Sequence, residues 1–148
     1  ANAFMSVIEA NGTLAKLGER YFGQSTHVDQ VAAYEFAKNV DTKLNNYIDI
    51  IQTVADEAGM DWRLLAAMSY QESGWDPTAR SRTGVRGMMM LTRPTARELG
   101  VKNRLDLLES LQGGARYYLN LKERLPESIK EPDRSWFALA AYNVGFGH

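Results

Sequence analysis

The stretch Asp61-Trp62-Arg63-Leu64-Leu65-Ala66-Ala67-Met68-Ser69-Tyr70-Gln71-Glu72-Ser73-Gly74-Trp75-Asp76-Pro77 decides the fold. Asp61 is placed to cap a helix, since its carboxylate can accept hydrogen bonds from the first N–H groups. Leu64, Leu65, Met68 and Glu72 recur at helical spacing. Ser73-Gly74 ends the helix. Asp76-Pro77 marks the exit, because proline drives the residue before it out of the helical region.

Working outward, the same grammar repeats. Upstream, Leu44, Ile48, Ile51, Val54, Ala55 and Ala58 form one apolar face from Asp41 onward, with Gly59 as the stop. Downstream, residues 74–91 are rich in glycine and small polar residues and read as a long irregular loop. Thr92 is an N-cap with Pro94 in the first turn, and Gly100 is the stop. A helix is expected from about Ser110 to Leu125, then a loop from Pro126 to Pro132. A last helix from Ser135 to about Tyr142 ends at Asn143-Val144-Gly145. At the other end, Phe4, Val7, Ile8, Leu14, Leu17, Tyr21 and Phe22 are apolar. Residues 23–40 are polar and turn helical near Val31. β-branched alternation is nearly absent, so the fold class is all-α.

The 148 residues are 45% hydrophobic and carry a net charge of −1. That length and composition suit one buried core. The charge balance argues against nucleic acid as partner, which needs a basic excess. No apolar run approaches the ~18–20 residues of a membrane span. There are no cysteines, and His27 and His148 are far apart, so neither a metal site nor a cofactor is expected.

Glu72 is the unusual residue. It continues the buried stripe and sits in the last helical turn, where the helix dipole disfavours negative charge. Partial burial acts the same way, so its carboxyl is expected to hold a proton to higher pH than usual. A protonated carboxyl facing a cleft suits general acid work on a glycosidic bond. The competing reading is a boundary glutamate paired with a nearby arginine.

Three segments then matter together: Glu72-Ser73-Gly74-Trp75-Asp76-Pro77, Gly87-Met88-Met89-Met90-Leu91-Thr92 and Ala141-Tyr142-Asn143-Val144-Gly145. In this order the chain resembles the lytic transglycosylases of the goose-type lysozyme superfamily over about residues 45–148. The resemblance implies a lysozyme-like helical domain with a substrate groove. It implies cleavage of the β-1,4 bond between N-acetylmuramic acid and N-acetylglucosamine in peptidoglycan, without water as acceptor, giving 1,6-anhydro products. Carried over residue by residue, Glu72 is the single catalytic acid and base. Ser81 and Tyr142 are substrate contacts near it, and Tyr117 lines the groove. Asn143 closes the last motif. Ser73 either contacts substrate or caps the helix. Met90 stands where many relatives carry glutamine, which puts the polar contacts of that subsite in doubt.

No convincing second carboxylate lies near Glu72 in sequence. Asp76 is the one close candidate, and Asp-Pro is more simply a turn signal. A lysozyme-type hydrolase of the same bond and a non-catalytic glycan-binding domain stay open as alternatives. Asn11-Gly12-Thr13-Leu14-Ala15-Lys16-Leu17 with Tyr21-Phe22-Gly23 resembles the end of a periplasmic solute-binding domain. The organisation implied is 1–24 the end of such a regulatory domain, 25–40 a linker, and 41–148 the catalytic domain, truncated at its C-terminus. The implied partners are peptidoglycan strands, with muropeptides at the regulatory domain. The implied place is the periplasm at the outer membrane, with no membrane contact by this segment itself.

Overall fold

A computed structural model describes residues 30–144. The apolar residues of 4–22, the first linker residues, both histidines and Gly145 lie outside the described residues. The chain divides into two compact units, 1–41 and 42–148. The described part of the first is helix α1 (Gln30–Thr42), whose last residue already belongs to the second unit.

The second unit carries a 3-10 turn (Leu44–Asn46) and helices α2 (Ile48–Ala58), α3 (Trp62–Ser73), α4 (Arg93–Glu98), α5 (Leu107–Arg124) and α6 (Asp133–Val144). The described residues form no strand. Two isolated bridges, Arg80 to Arg86 and Arg86 to Leu91, are the only β pairing among them. The fold is all-α.

The caps act as the residue types predict. The Asp61 carboxylate accepts from Arg63 N–H at 2.8 Å, and Thr92 Oγ1 accepts from Thr95 N–H at 3.1 Å. Gly59 and Gly74 close α2 and α3 in the left-handed conformation. Three boundaries differ from the sequence expectation, one being α6, which runs from Asp133 to Val144 rather than from Ser135 to about Tyr142. The apolar face from Asp41 to Ala58 is not one helix. Asn46 Nδ2 donates to Thr42 O at 3.2 Å, and the backbone breaks into the 3-10 turn before α2 starts. An asparagine side chain that satisfies backbone carbonyls competes with the helix. Helix α5 starts three residues early, because Asp106 accepts from Glu109 N–H at 2.9 Å and caps it there.

Helix α5 is the axis of the core, packing against α2 and α6 and more lightly against α3. Ile51 of α2, Leu65 of α3 and Leu111 and Leu121 of α5 are fully or almost fully buried. Each contributes roughly 1.5–3 kcal/mol relative to exposure. The loop between α3 and α4 joins this core rather than covering it: Trp75, Met88, Met89 and Leu91 are all buried. It can do so because α5 presents Gly113-Gly114 to it. A Cβ on Gly114 would come within 2.6 Å of Met89 Cγ, and one on Gly113 within 2.8 Å of Leu91 Cδ1. Ser110 Oγ, fully buried one turn earlier, accepts from Met89 N–H at 3.1 Å. The loop is thus seated in a notch that only small residues leave open.

Candidate active site

Glu72 lies in the last turn of α3 and is half-buried. No cation pairs with its carboxylate among the described residues; Arg63 pairs with Asp61, and Lys122 with Glu131. This removes the reading of a boundary glutamate held by an arginine there. Burial alone pushes its carboxyl above the ordinary range.

Two cavities meet at this residue. One, of about 330 Å³, is walled by the loop residues Val85 and Met89–Thr92 and by Thr95 and Tyr117. The other, of about 480 Å³, is walled by Leu64, Ala67, Met68 and Gln71 of α3 and Trp136, Leu139 and Ala140 of α6. Glu72, Tyr142 and Asn143 line both. The carboxyl therefore stands at the join of two halves of one groove. A further cavity between α2 and α5, of about 220 Å³, holds Glu57 and Arg116 and does not include Glu72.

Tyr142 comes from α6 and packs its ring 5.2 Å from that of Tyr117 on α5. Its hydroxyl is buried and has no hydrogen-bond partner among the described residues. Burial first, then the charges of Glu72 and Tyr117, push the phenol far above its usual value. It therefore stays protonated and offers a donor beside the carboxyl. A buried hydroxyl without a partner costs roughly 1–3 kcal/mol, a strain a bound acceptor would relieve.

The methionine run divides. Met88 and Met89 are core, whereas Met90 is half-buried, lines the loop-walled cavity and has a φ of 43°. A left-handed methionine is rare and is held here by Met90 N–H donating to Gly87 O at 3.0 Å. Gly87 itself has a φ of 84°, and a Cβ on it would overlap the Arg104 carbonyl. Arg104 Nη1 donates to Gly84 O and Leu91 O, both at 2.8 Å, and ties the two ends of the turn together.

The expected site residues separate into two groups. Glu72, Met90, Tyr117, Tyr142 and Asn143 come together around the groove. Asn143 Nδ2 donates to Leu139 O at 3.0 Å, which fixes its side chain on α6. Ser73 and Ser81 line neither cavity. Ser73 Oγ donates to Met88 O at 2.9 Å and accepts from Asp76 N–H at 3.1 Å, so it binds the end of α3 to the loop. Ser81 Oγ shares a hydrogen bond with Thr83 Oγ1 at 2.8 Å and accepts from Val85 N–H at 3.3 Å inside its own turn.

Asp76 is also accounted for. Its Oδ1 accepts from Thr78 Oγ1 at 2.7 Å and Thr78 N–H at 2.8 Å, and these bonds hold its carboxyl below the usual range. It lines neither cavity, and Glu72 is the one carboxylate among the described residues that does. Sequence reasoning missed Trp136 as a groove residue. It sits in an apolar helix that reads as core, yet it is 66% exposed and walls the helix-built cavity. Trp75, which has no assigned role in the sequence motif, is buried. Its Nε1–H donates to Ala66 O at 3.0 Å and its ring meets Tyr70 at 4.6 Å, so it anchors the turn after Glu72.

Comparison with known proteins agrees with this geometry. The chain is 54% identical over all 148 residues to a protein of Marinobacter nauticus named membrane-bound lytic murein transglycosylase F. It is 55% identical over the same length to a protein of that name from Stutzerimonas stutzeri. A third, from Pseudomonas syringae pv. syringae, is 52% identical over 147 residues, or 99% of this chain. The chain spans about 30% of the length of each of these relatives. The family model described as Transglycosylase SLT domain matches residues 49–148, which hold Glu72 and every other groove residue described above, and the chain therefore belongs to the transglycosylase SLT domain family.

Proposed function

We propose that this domain is a peptidoglycan lytic transglycosylase that cleaves the β-1,4 bond between N-acetylmuramic acid and N-acetylglucosamine and forms a 1,6-anhydro product. The observation that carries this reading is the half-buried, unpaired Glu72 at the join of two cavities. Cleaving inside a polymer needs sugar sites on both sides of the broken bond, with the acid between them. The relatives' names supply the polymer.

One carboxyl is enough when the substrate supplies the nucleophile. Protonated Glu72 gives its proton to the leaving O4 as the C1–O4 bond breaks. The 2-acetamido oxygen of the muramic sugar attacks C1 and forms a cyclic oxazolinium ion. Glu72, now ionised, takes the proton from the C6 hydroxyl, whose oxygen attacks C1 and expels the acetamido oxygen. Glu72 is again protonated, and no water is consumed. General acid and base catalysis of this type contributes ~10²–10⁴-fold. Tyr142 Oη–H donates to the acetamido group and holds it for attack. Met90 gives that subsite an apolar surface. Ser73 positions Glu72 through the end of α3, and Ser81 shapes the turn that carries Val85.

A hydrolase that activates water with a separate base, or that forms a covalent glycosyl-enzyme, needs a second carboxylate. Asp76, engaged with Thr78 away from the groove, is poorly placed for either role. The relatives are named membrane-bound, which points to the cell envelope. We place the whole protein in the periplasm at the outer membrane, with 41–148 as its catalytic domain and muropeptides bound by the domain before it. No described helix is long and apolar enough to cross a membrane.

The test is mass spectrometry of soluble products from purified sacculi, with Glu72→Gln as control. Anhydro-muropeptides that vanish in the variant are expected. Products heavier by one water would reassign the domain as a hydrolase.

A further inference from the structure

Charge is distributed unevenly along this chain. The whole chain is −1, yet residues 80–104 hold seven basic residues and a single acid, Glu98. Three of these cations, Arg86, Arg93 and Arg104, converge. The short bridges Arg80 to Arg86 and Arg86 to Leu91 fold the loop back on itself, and Arg104 reaches up to Gly84 O and Leu91 O. A cavity of about 340 Å³ opens there, lined by Thr83, Gly84, Arg86, Thr92, Arg93 and Pro94. Its wall includes two arginines and no carboxylate residue.

These charges have not been neutralised from within. Neither Arg86 nor Arg93 has an ion-pair partner among the described residues. Their fields reach Arg104, whose guanidinium is lowered from its usual value first by burial and then by Arg86 and Arg93. Like charges held this close without an acid are costly unless an anion joins them. Arginine also presents a planar fork that matches a carboxylate.

The cavity adjoins the groove. Thr92 lines both it and the loop-walled half beside Glu72. An anionic branch that leaves a bound glycan close to the cleaved bond lies within reach of this cavity. Peptidoglycan has such a branch, since its muramic sugar carries a short peptide with free carboxylates. We propose that the Arg86–Arg93 cavity is a binding site for a carboxylate of the peptide branch on the glycan strand, so that the domain reads the peptide as well as the sugar. This rests on the transglycosylase reading given above.

The test is equilibrium binding to the full 148-residue chain carrying Glu72→Gln, which blocks turnover. The probes are a tetrasaccharide glycan fragment with its peptides, the same fragment stripped by an amidase with the lactyl carboxylates so exposed capped as methylamides, and the free peptide. The peptide-bearing fragment is expected to bind about tenfold tighter than the stripped one, as one or two charge-assisted hydrogen bonds supply. That preference should shrink with added salt. In Arg86→Gln/Arg93→Gln the ratio of the two affinities should fall to about one. Arg93→Gln alone, at an exposed residue, should lower the ratio without moving the melting temperature.

No preference in the parent, or a preference that survives the double variant, overturns the proposal. Free peptide binding as tightly as the peptide-bearing fragment overturns it too, since the branch would then not be read on the strand. A different pattern marks failure of the enzyme reading: the stripped fragment is not bound at all, while arginine-dependent binding of the free peptide shows an anion site without a glycan groove.

Discussion

The two halves of the groove are built by different means. The half lined by Leu64, Ala67, Trp136 and Leu139 is made from the faces of two helices. The half lined by Val85, Met90 and Leu91 is made from a loop that is itself part of the core. Helix faces are set by local spacing and survive small changes. The loop half depends on a chain of distant fits: Gly87 under the Arg104 carbonyl, Met89 in the Gly114 notch, and Ser110 bound to Met89 N–H. One half is sturdy and generic, and the other is specific and brittle. Glu72 joins them, anchored on the helix side by α3 and on the loop side through Ser73 and Met88.

The largest effect is expected at the join. Glu72→Gln should lower turnover by about 10²–10⁴-fold while both halves keep their structure. Circular dichroism and product release on the same preparation check this together. Turnover near the wild-type rate would take Glu72 out of the mechanism.

Gly87→Ala should break the loop half alone. Its φ of 84° strains any side chain, and the new Cβ overlaps the Arg104 carbonyl. The expected loss is about 3 kcal/mol of stability, read from urea unfolding, with loss of cleavage. A Gly87→Ala variant that melts and cleaves like the parent would mean the loop is far more compliant than the contacts indicate.

Much of the helix half is legible in sequence, and much of the loop half is not. Asp61, Thr92, Gly59, Gly74 and Gly100 mark helix ends through local chemistry, and local chemistry is what one sequence displays. Glu72 is legible because its place on the apolar stripe and in the last turn are both local. The Gly113-Gly114 notch is not, since two glycines in a helix have no visible purpose until Met89 and Leu91 are placed against them from more than twenty residues away. For the same reason the spacing of Met88–Met90 does not say which two are core. The resemblance brings Tyr142 to the site. It suggests Ser81 there as well, whereas the structure keeps that hydroxyl in its own turn. The break before α2 escaped periodicity because an asparagine side chain, not an apolar residue, sets it.

The groove residues sharpen the contrast at smaller scale. Tyr142→Phe removes a buried donor whose partner is expected only in substrate. A loss of about tenfold in kcat with little change in KM is expected, because the hydroxyl acts on the reacting acetamido group. Trp136→Ala acts on the helix half, where the exposed ring offers a flat apolar surface to sugar. It should raise KM about two- to fivefold and leave kcat and stability nearly unchanged. Steady-state kinetics on glycan strands of defined length separates the two. If both variants changed KM alone, the division of labour between the hydroxyl and the ring would collapse.

The smallest effect concerns what Glu72 costs the fold. Its carboxyl is raised by burial, so the folded chain holds this proton more tightly than the unfolded chain does. Stability is therefore unaffected by this group below the ordinary carboxyl pKa of the unfolded chain. It falls as pH rises through the window up to the raised folded value, and the full cost persists above that. Glu72→Gln removes the cost. The variant should melt about 1–3 °C above the parent at neutral pH, a modest gain because the group is only half-buried and solvent screens it. The gap should close in melts taken below the ordinary carboxyl range. The same ionisation should set the alkaline limb of the wild-type rate profile, since the first step needs the proton on Glu72. A melting gap that stays constant with pH would trace the gain to packing of the amide, and would separate the acid role from the burial that is held responsible for it.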